Sequence, residues 1–239
     1  MESQLLRAYY EGVLKCLLYF YREFYGNLLF SRVRLMKLMF LSCYERVEKD
    51  VVIRYAPSPL KLDYKILYRG PFSKTVSDVI QSSVGGDLDE DLVDVGLKYP
   101  LHIYLLDSVN ERVYREGCEK LREVFQNALR DISEILLRRS SMLCEHELEE
   151  VSRRVILKLV KLTTHRVRTV VRVYGHLSSE KLEKLSLSTI GLSKDRKAEY
   201  LRLNVDDVAG ILGLQMVSLD KLLLSSEKYL RKLARLEND

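Results

Sequence analysis

Residues 145–176 read EHELEEVSRRVILKLVKLTTHRVRTVVRVYGH. Apolar Ile156, Leu159, Val167, Val170 and Tyr174 recur at helical spacing and Gly175 is a stop signal, so one long helix is predicted over 145–174. Arg154, Lys158, Lys161, His165, Arg168 and Arg172 follow one another at offsets of 4, 3, 4, 3 and 4. That pitch gathers all six on the opposite face. Between Val151 and His176 stand seven Lys/Arg and no Asp/Glu. The whole chain nets +5, so taking away the +7 of residues 151–176 leaves −2 for the remainder. The basic character belongs to this helix. A cationic row roughly 25 Å long suits a phosphate backbone, because each neutralised phosphate releases a counterion. Other roles fit the same residues. Glu145, Glu147, Glu149 and Glu150 precede the bases, an order that complements the helix dipole, although that effect fades within a turn. The face also suits pairing with an acidic stretch such as GGDLDEDL (85–92), or plain exposure to solvent.

Upstream, Tyr114, Cys118, Leu121, Phe125, Ala128, Ile132 and Ile135 are spaced 4, 3, 4, 3, 4 and 3. They predict a single apolar stripe on a helix over 111–139, roughly 40 Å long. Gly117 weakens its first turn, and Ser140-Ser141 ends it. Two uses of the stripe fit the spacing equally. It is either a homodimer seam through Tyr114, Leu121, Phe125 and Ile132, setting half-site separation on DNA, or a core packed against Ile156, Leu159 and Val170.

Downstream, residues 177–239 read as three or four shorter helices. NVDDVAGILGLQMVSLDKLL (204–223) sets Ala209 four residues before Gly213, with Val208, Leu212, Leu214, Leu219 and Leu222 at apolar positions. This is similar to the bacterial and archaeal helix-turn-helix pattern. Its reading helix would present Gln215, Met216, Val217, Asp220 and Lys221, with Gln215 and Lys221 as contacts and Asp220 ill-suited to phosphates. Two ordinary helices joined at a glycine carry the same pattern.

The N-terminal half mixes helix and strand. Leu6, Tyr9, Tyr10, Val13, Leu17, Phe20 and Phe24 predict a helix that stops at Gly26-Asn27. Ser31 is placed to cap a second helix carrying Val33, Leu35, Met36, Leu38, Met39, Leu41 and Tyr44. LDYKILY (62–68) reads as a strand broken at Arg69-Gly70-Pro71, and Ser73 can cap a third helix carrying Val76, Val79, Ile80 and Val84. After the acidic loop at 85–92, LVDVGL and LHIYLLDSV flank a turn at Lys98-Tyr99-Pro100 and predict a two-stranded ribbon. Helix, helix, strand, helix, strand, strand is the order of a winged helix-turn-helix. The runs RLMKLMFLSCYERV and YRGPFSKTVSDVIQ resemble archaeal winged-helix proteins. They also resemble the Panacea family of antitoxin-type domains, through Leu35, Lys37, Leu38, Phe40, Tyr68, Gly70 and Pro71. The resemblance covers about the first 105 residues and implies a winged-helix fold. In that fold the reading helix begins at Ser73 and presents Lys74, Thr75, Ser77 and Gln81, with Arg32, Arg34, Lys37 and Arg69 nearby. Winged helices dock proteins as readily as they read DNA, so the fold does not choose between them.

Composition narrows the rest. Of 239 residues, 47% are hydrophobic and 31% charged, which excludes a disordered chain, while four Pro and 11 Gly are too few for a loop-rich all-β protein. Five Asn and four Gln among abundant Leu, Val, Arg and Glu match the composition of heat-adapted proteins. No apolar run reaches the roughly 18 residues of a membrane span, and MESQLLRAYYEG lacks the features of a signal peptide, so a cytoplasmic location is expected. Cys16, Cys43, Cys118 and Cys144 have no zinc-ligand spacing and read as reduced, mostly buried thiols. No phosphate-loop, dinucleotide, zinc-protease or nucleophile-elbow motif occurs, so no catalytic residue, metal or cofactor is expected. Tyr9, Tyr10, Tyr19, Tyr21 and Tyr25 could stack on bases, but they spread around their helix at core spacing. The expected protein is mainly α, with a winged-helix domain over 1–108 and an all-α helical domain over 109–239 that holds the two long helices. Its expected role is nucleic-acid binding, DNA before RNA, as a dimeric transcription regulator. The rival is a non-catalytic protein-interaction module, antitoxin-like or a subunit of a larger assembly.

Overall fold

The computed structural model describes residues 2–93, 101–129 and 145–225, and it is mainly helical with three small sheets. Helix α1 (Glu2–Tyr25) drives Tyr9, Tyr10, Val13, Leu14, Leu17 and Leu18 into the core. Gly26, at φ +82°, turns the chain into β1 (Leu28–Phe30). Helix α2 (Arg32–Cys43) is buried at every position from Leu35 to Cys43, so it lies inside the core with no wet face along that length. Ser31 stands at its N-cap, but the side chain makes no capping bond. Strands β2 (Tyr44–Arg46), β3 (Val51–Arg54), β4 (Lys65–Leu67) and β5 (Gly70–Phe72) follow, then α3 (Lys74–Ser83), where the Ser73 hydroxyl does accept from the Val76 N–H. Beyond them come β6 (Asp89–Val93), β7 (Leu101–Leu105), α4 (Glu111–Ala128) and α5 (Glu145–Tyr174). The chain closes with α6 (Ser179–Thr189), a 3-10 turn (Asp195–Tyr200), α7 (Val205–Ile211), β8 (Gln215–Ser218) and α8 (Leu219–Ser225).

Strands 6 and 7 form an antiparallel ribbon; its first strand is Asp89–Val93, and most of the expected segment 92–97, with the expected turn at 98–100, lies outside the described residues. The acidic stretch expected as a loop contributes Asp89-Glu90-Asp91 to β6. The third strand of this sheet is β1, not the 62–68 segment: Leu29, fully buried, pairs with Tyr104. Strand β4 instead pairs with β5. Gly70, at φ +77°, lets the chain reverse at Arg69-Gly70, so the residues that looked like a break become a second strand.

A second correction concerns 204–223. Asn204 caps α7 and Gly213 turns the chain as expected, but the next segment is not a helix. Gln215–Ser218 is β8, parallel to β3 in the register Val51 to Gln215 through Arg54 to Ser218, and α8 begins only at Leu219. The free edge of β3 lies some 160 residues upstream, where no local pattern reaches. Asp220, awkward in a reading helix, is buried and accepts the Ser58 N–H at 3.0 Å.

The core runs continuously from Leu6 to Leu219, with α4 and α5 packed on α1 and β8 docked on β3, so packing does not break at residue 108. Leu121 and Phe125 are fully buried within this single chain, and Tyr114 packs on the same core. They are therefore not free to form the expected dimer seam. Ile132, Ile135 and the rest of the predicted 130–139 extension lie outside the described residues. Gly117 also finds its reason here. A Cβ at Gly12 would sit 2.9 Å from Leu121 Cγ and 3.0 Å from the Gly117 carbonyl, and one at Gly117 would sit 3.0 Å from the Gly12 carbonyl. Paired glycines let the backbones of α1 and α4 touch. Cys16 and Cys43 are buried and Cys118 half-buried, all as free thiols, while Cys144 lies outside the described residues.

Lys37, in the resemblance motif, is not a surface cation. Its side chain is buried and donates to the Pro71 carbonyl at 2.5 Å. Burial pushes its ammonium down to about 7, helped by Lys197 and Arg69 and opposed by Glu183. The folded chain thus prefers neutral Lys37, while the unfolded chain keeps the proton up to the ordinary lysine range. Between these pH values the unfolded state binds more protons, so stability rises with pH by up to about 1.4 kcal/mol per unit. Urea melts from pH 7 to 8.5 should show a steeper rise in the parent than in Lys37→Met, which keeps the part due to Cys118, lowered to about 7 by its Cys16 contact. The window closes near pH 9, where the buried Cys16 and Cys43 thiols, held neutral in the fold, begin to favour unfolding, followed by the buried tyrosines.

Candidate nucleic-acid interface

Helix α5 is two-faced. Val155, Leu159, Val167, Val170 and Val171 are buried against α1, α2 and α4. Lys161, His165, Arg168 and Arg172 are exposed on the other side and Lys158 is half-buried. Arg154 is tied to Glu150 of its own helix at 3.0 Å. Among the described residues no carboxylate lies within ion-pair range of Lys158, Lys161, His165, Arg168 or Arg172. Of the acidic stretch that could have neutralised them, Asp87 holds Lys15 at 2.5 Å and Glu90 holds His102 at 2.6 Å, while Asp89 and Asp91 are exposed and within ion-pair range of none of the five. The cationic row is wet.

One cation of the same helix points inward. Arg166 is buried, donates twice to the Leu41 carbonyl (3.0 and 3.1 Å) and once to Tyr44 (3.0 Å), and pairs with Glu45 at 2.8 Å. It caps the C-terminus of α2, where carbonyls lack intrahelical donors and the dipole favours a cation.

Beside the exposed row, α1 and α4 supply a wall of rings. Tyr19, Phe20, Glu23 and Phe24 of α1, Tyr114 of α4, and Lys158, Lys161, Leu162, Thr164, His165 and Arg168 of α5 line a groove of about 420 Å³. Tyr19 stacks on Tyr114 with centroids 4.9 Å apart, and the Arg168 guanidinium carbon lies 5.9 Å from both the Phe20 and Phe24 rings. Such cation–π placement holds the arginine without neutralising it. Burial pushes the Tyr19 phenol up, with Glu23 and Glu111 adding to it, and burial with a Cys118 contact pushes Tyr114 up to about 12. Both stay neutral hydroxyls at ordinary pH. Glu23 is the one carboxylate among the lining residues. The groove therefore offers the three cations Lys158, Lys161 and Arg168, the His165 imidazole, apolar ring surface and neutral donors to whatever enters it.

The other expected contacts are not brought to this place. Lys74 is exposed at the start of α3, but Thr75 donates from its hydroxyl (2.7 Å) and N–H (3.2 Å) to Asp63. Ser77 accepts from Arg32 at both its carbonyl and its hydroxyl. The polar row of α3 is thus spent on holding its own fold. Gln215 is exposed on β8 and Lys221 on α8, and neither lines the groove.

Sequence reading found the cations and raised Tyr19 as a base-stacking ring, but it did not place Phe20, Phe24 and Tyr114 beside them. Tyr19, Phe20 and Phe24 carried a readable signal, three aromatics within six residues at the end of α1, but spacing could not tell that Tyr114 would join them. No three His, Cys, Asp or Glu side chains among the described residues converge on a metal-sized site. Among the described residues no helix is long and apolar enough to cross a membrane. Comparison with protein families, curated proteins and solved structures finds no match for the chain.

Proposed function

We propose that this protein binds nucleic acid, DNA before RNA, through the cationic face of α5. The observation that carries the reading is that Lys158, Lys161, His165, Arg168 and Arg172 lie in one row, reach solvent and have no carboxylate partner among the described residues. A row of unneutralised cations is costly to maintain through mutual repulsion, and a polyanion relieves it. The order α1, β1, α2, α3, β6, β7, with β1 paired to β7, supports reading the first 108 residues as a winged helix-turn-helix with β2 to β5 inserted between α2 and α3. The dimeric-regulator form of the expectation needed Leu121 and Phe125 on the surface. Both are internal, so the proposal is confined to nucleic-acid contact.

The test is salt response. Binding to labelled DNA should weaken steeply with salt, and Lys158→Ala with Arg168→Ala should lower affinity at least tenfold. The double variant should also flatten the slope of log K against log salt by about 1.8 on duplex or 1.4 on single strands. A double variant that binds with the parent's affinity and slope sinks the reading.

A further inference from the structure

We propose that the groove between α1, α4 and α5 holds an unpaired nucleobase, which makes single-stranded nucleic acid, not duplex, the partner of the α5 cations; the proposal rests on the phosphate reading above. Three observations carry it. The wall facing Lys158, Lys161, His165 and Arg168 is aromatic, and a positively charged track beside stacking rings is what an unpaired strand engages. Phe24 is 36% exposed although it lies beside Phe20 and Arg168, so part of the aromatic wall reaches solvent. The volume, about 420 Å³, falls in the range of pockets that enclose a small planar ligand.

Duplex cannot use this wall. Its bases are paired and stacked, and extruding one costs free energy that a single strand does not spend. The cation row also outruns the groove: from Lys158 to Arg172 it extends about 21 Å along the helix, so the occupant continues beyond one nucleotide. A base sits in the groove while neighbouring phosphates follow the row.

The experiment measures affinity of the full chain for fluorescein-labelled dT12 and for the dT12·dA12 duplex, with thymidine monophosphate as competitor. The parent should prefer dT12 by roughly tenfold or more. Phe24→Leu with Tyr19→Leu keeps apolar bulk, removes the ring faces and should narrow that ratio to within about threefold. Phe24→Leu alone, at the more exposed ring, serves if the double variant melts early, and should narrow the ratio part of the way. Equal affinity of the parent for strand and duplex overturns the base slot while leaving the phosphate reading intact. An unchanged ratio in the ring variants does the same. Competition by the mononucleotide at the concentration effective for dT12 overturns the strand. Failure to bind either DNA removes the phosphate reading, and this proposal with it.

Discussion

Arg166→Met should destabilise the protein by about 3–5 kcal/mol, the usual cost of removing one partner of a buried charged pair. The substitution keeps much of the apolar stem and deletes the guanidinium. It strands the Leu41 and Tyr44 carbonyls, which no longer meet a donor at the end of α2, and leaves Glu45 without its arginine. In a chain of this length the loss should appear as a fall of roughly 10 °C in melting temperature. Arg172→Met, on the same helix and exposed, is the control and should stay within about 0.5 kcal/mol of the parent. Urea melts of the two variants check the pair. Similar stabilities would mean that Arg166 does not hold α2 as described.

The second large effect is expected at the contact of α1 and α4. Gly12→Val should cost about 3 kcal/mol, because the added atoms meet Leu121 and the Gly117 backbone, and the backbone cannot yield as a flexible side chain can. Gly12→Ala should cost less but still destabilise, because its Cβ alone meets Leu121 Cγ at 2.9 Å and the Gly117 carbonyl at 3.0 Å, and the helix-propensity gain of about 1 kcal/mol offsets only part of that. The Val variant forces the helices apart where Cys16 is buried. Thiol labelling of Cys16 should therefore accelerate under conditions where the protein is still folded. Unaltered labelling and stability in Gly12→Val would show that the helices do not touch there. The same separation strains the Tyr19–Tyr114 stack, so the seam also shapes the groove.

These residues mark how far sequence reading reaches. Helix α5 and its cationic face were legible because period and stop signal are local: 4, 3, 4, 3, 4 spacing and Gly175 need no knowledge of the rest of the chain. The ribbon of β6 and β7 was legible for the same reason. Arg166 was counted among the cations but not separated from them, since a position adjacent to His165 belongs to either face until a partner is known. The reading helix proposed at 215–223 failed because β3 offers Gln215–Ser218 a sheet edge, and pairing overrode a helical pattern that was only permissive.

From its amino acids alone, this protein was bound to be mainly helical, with the acid-free stretch 151–176 of one long helix carrying its positive charge. Those properties follow from composition and periodicity, which act over a few turns. Tertiary structure decided which faces are covered: the 114–125 stripe turned inward on α1, Arg166 went to the end of α2, and Lys37 left the surface. It also brought rings from two other helices beside the α5 cations. Such choices depend on surfaces far apart in the chain, which compete for burial only once the helices have met.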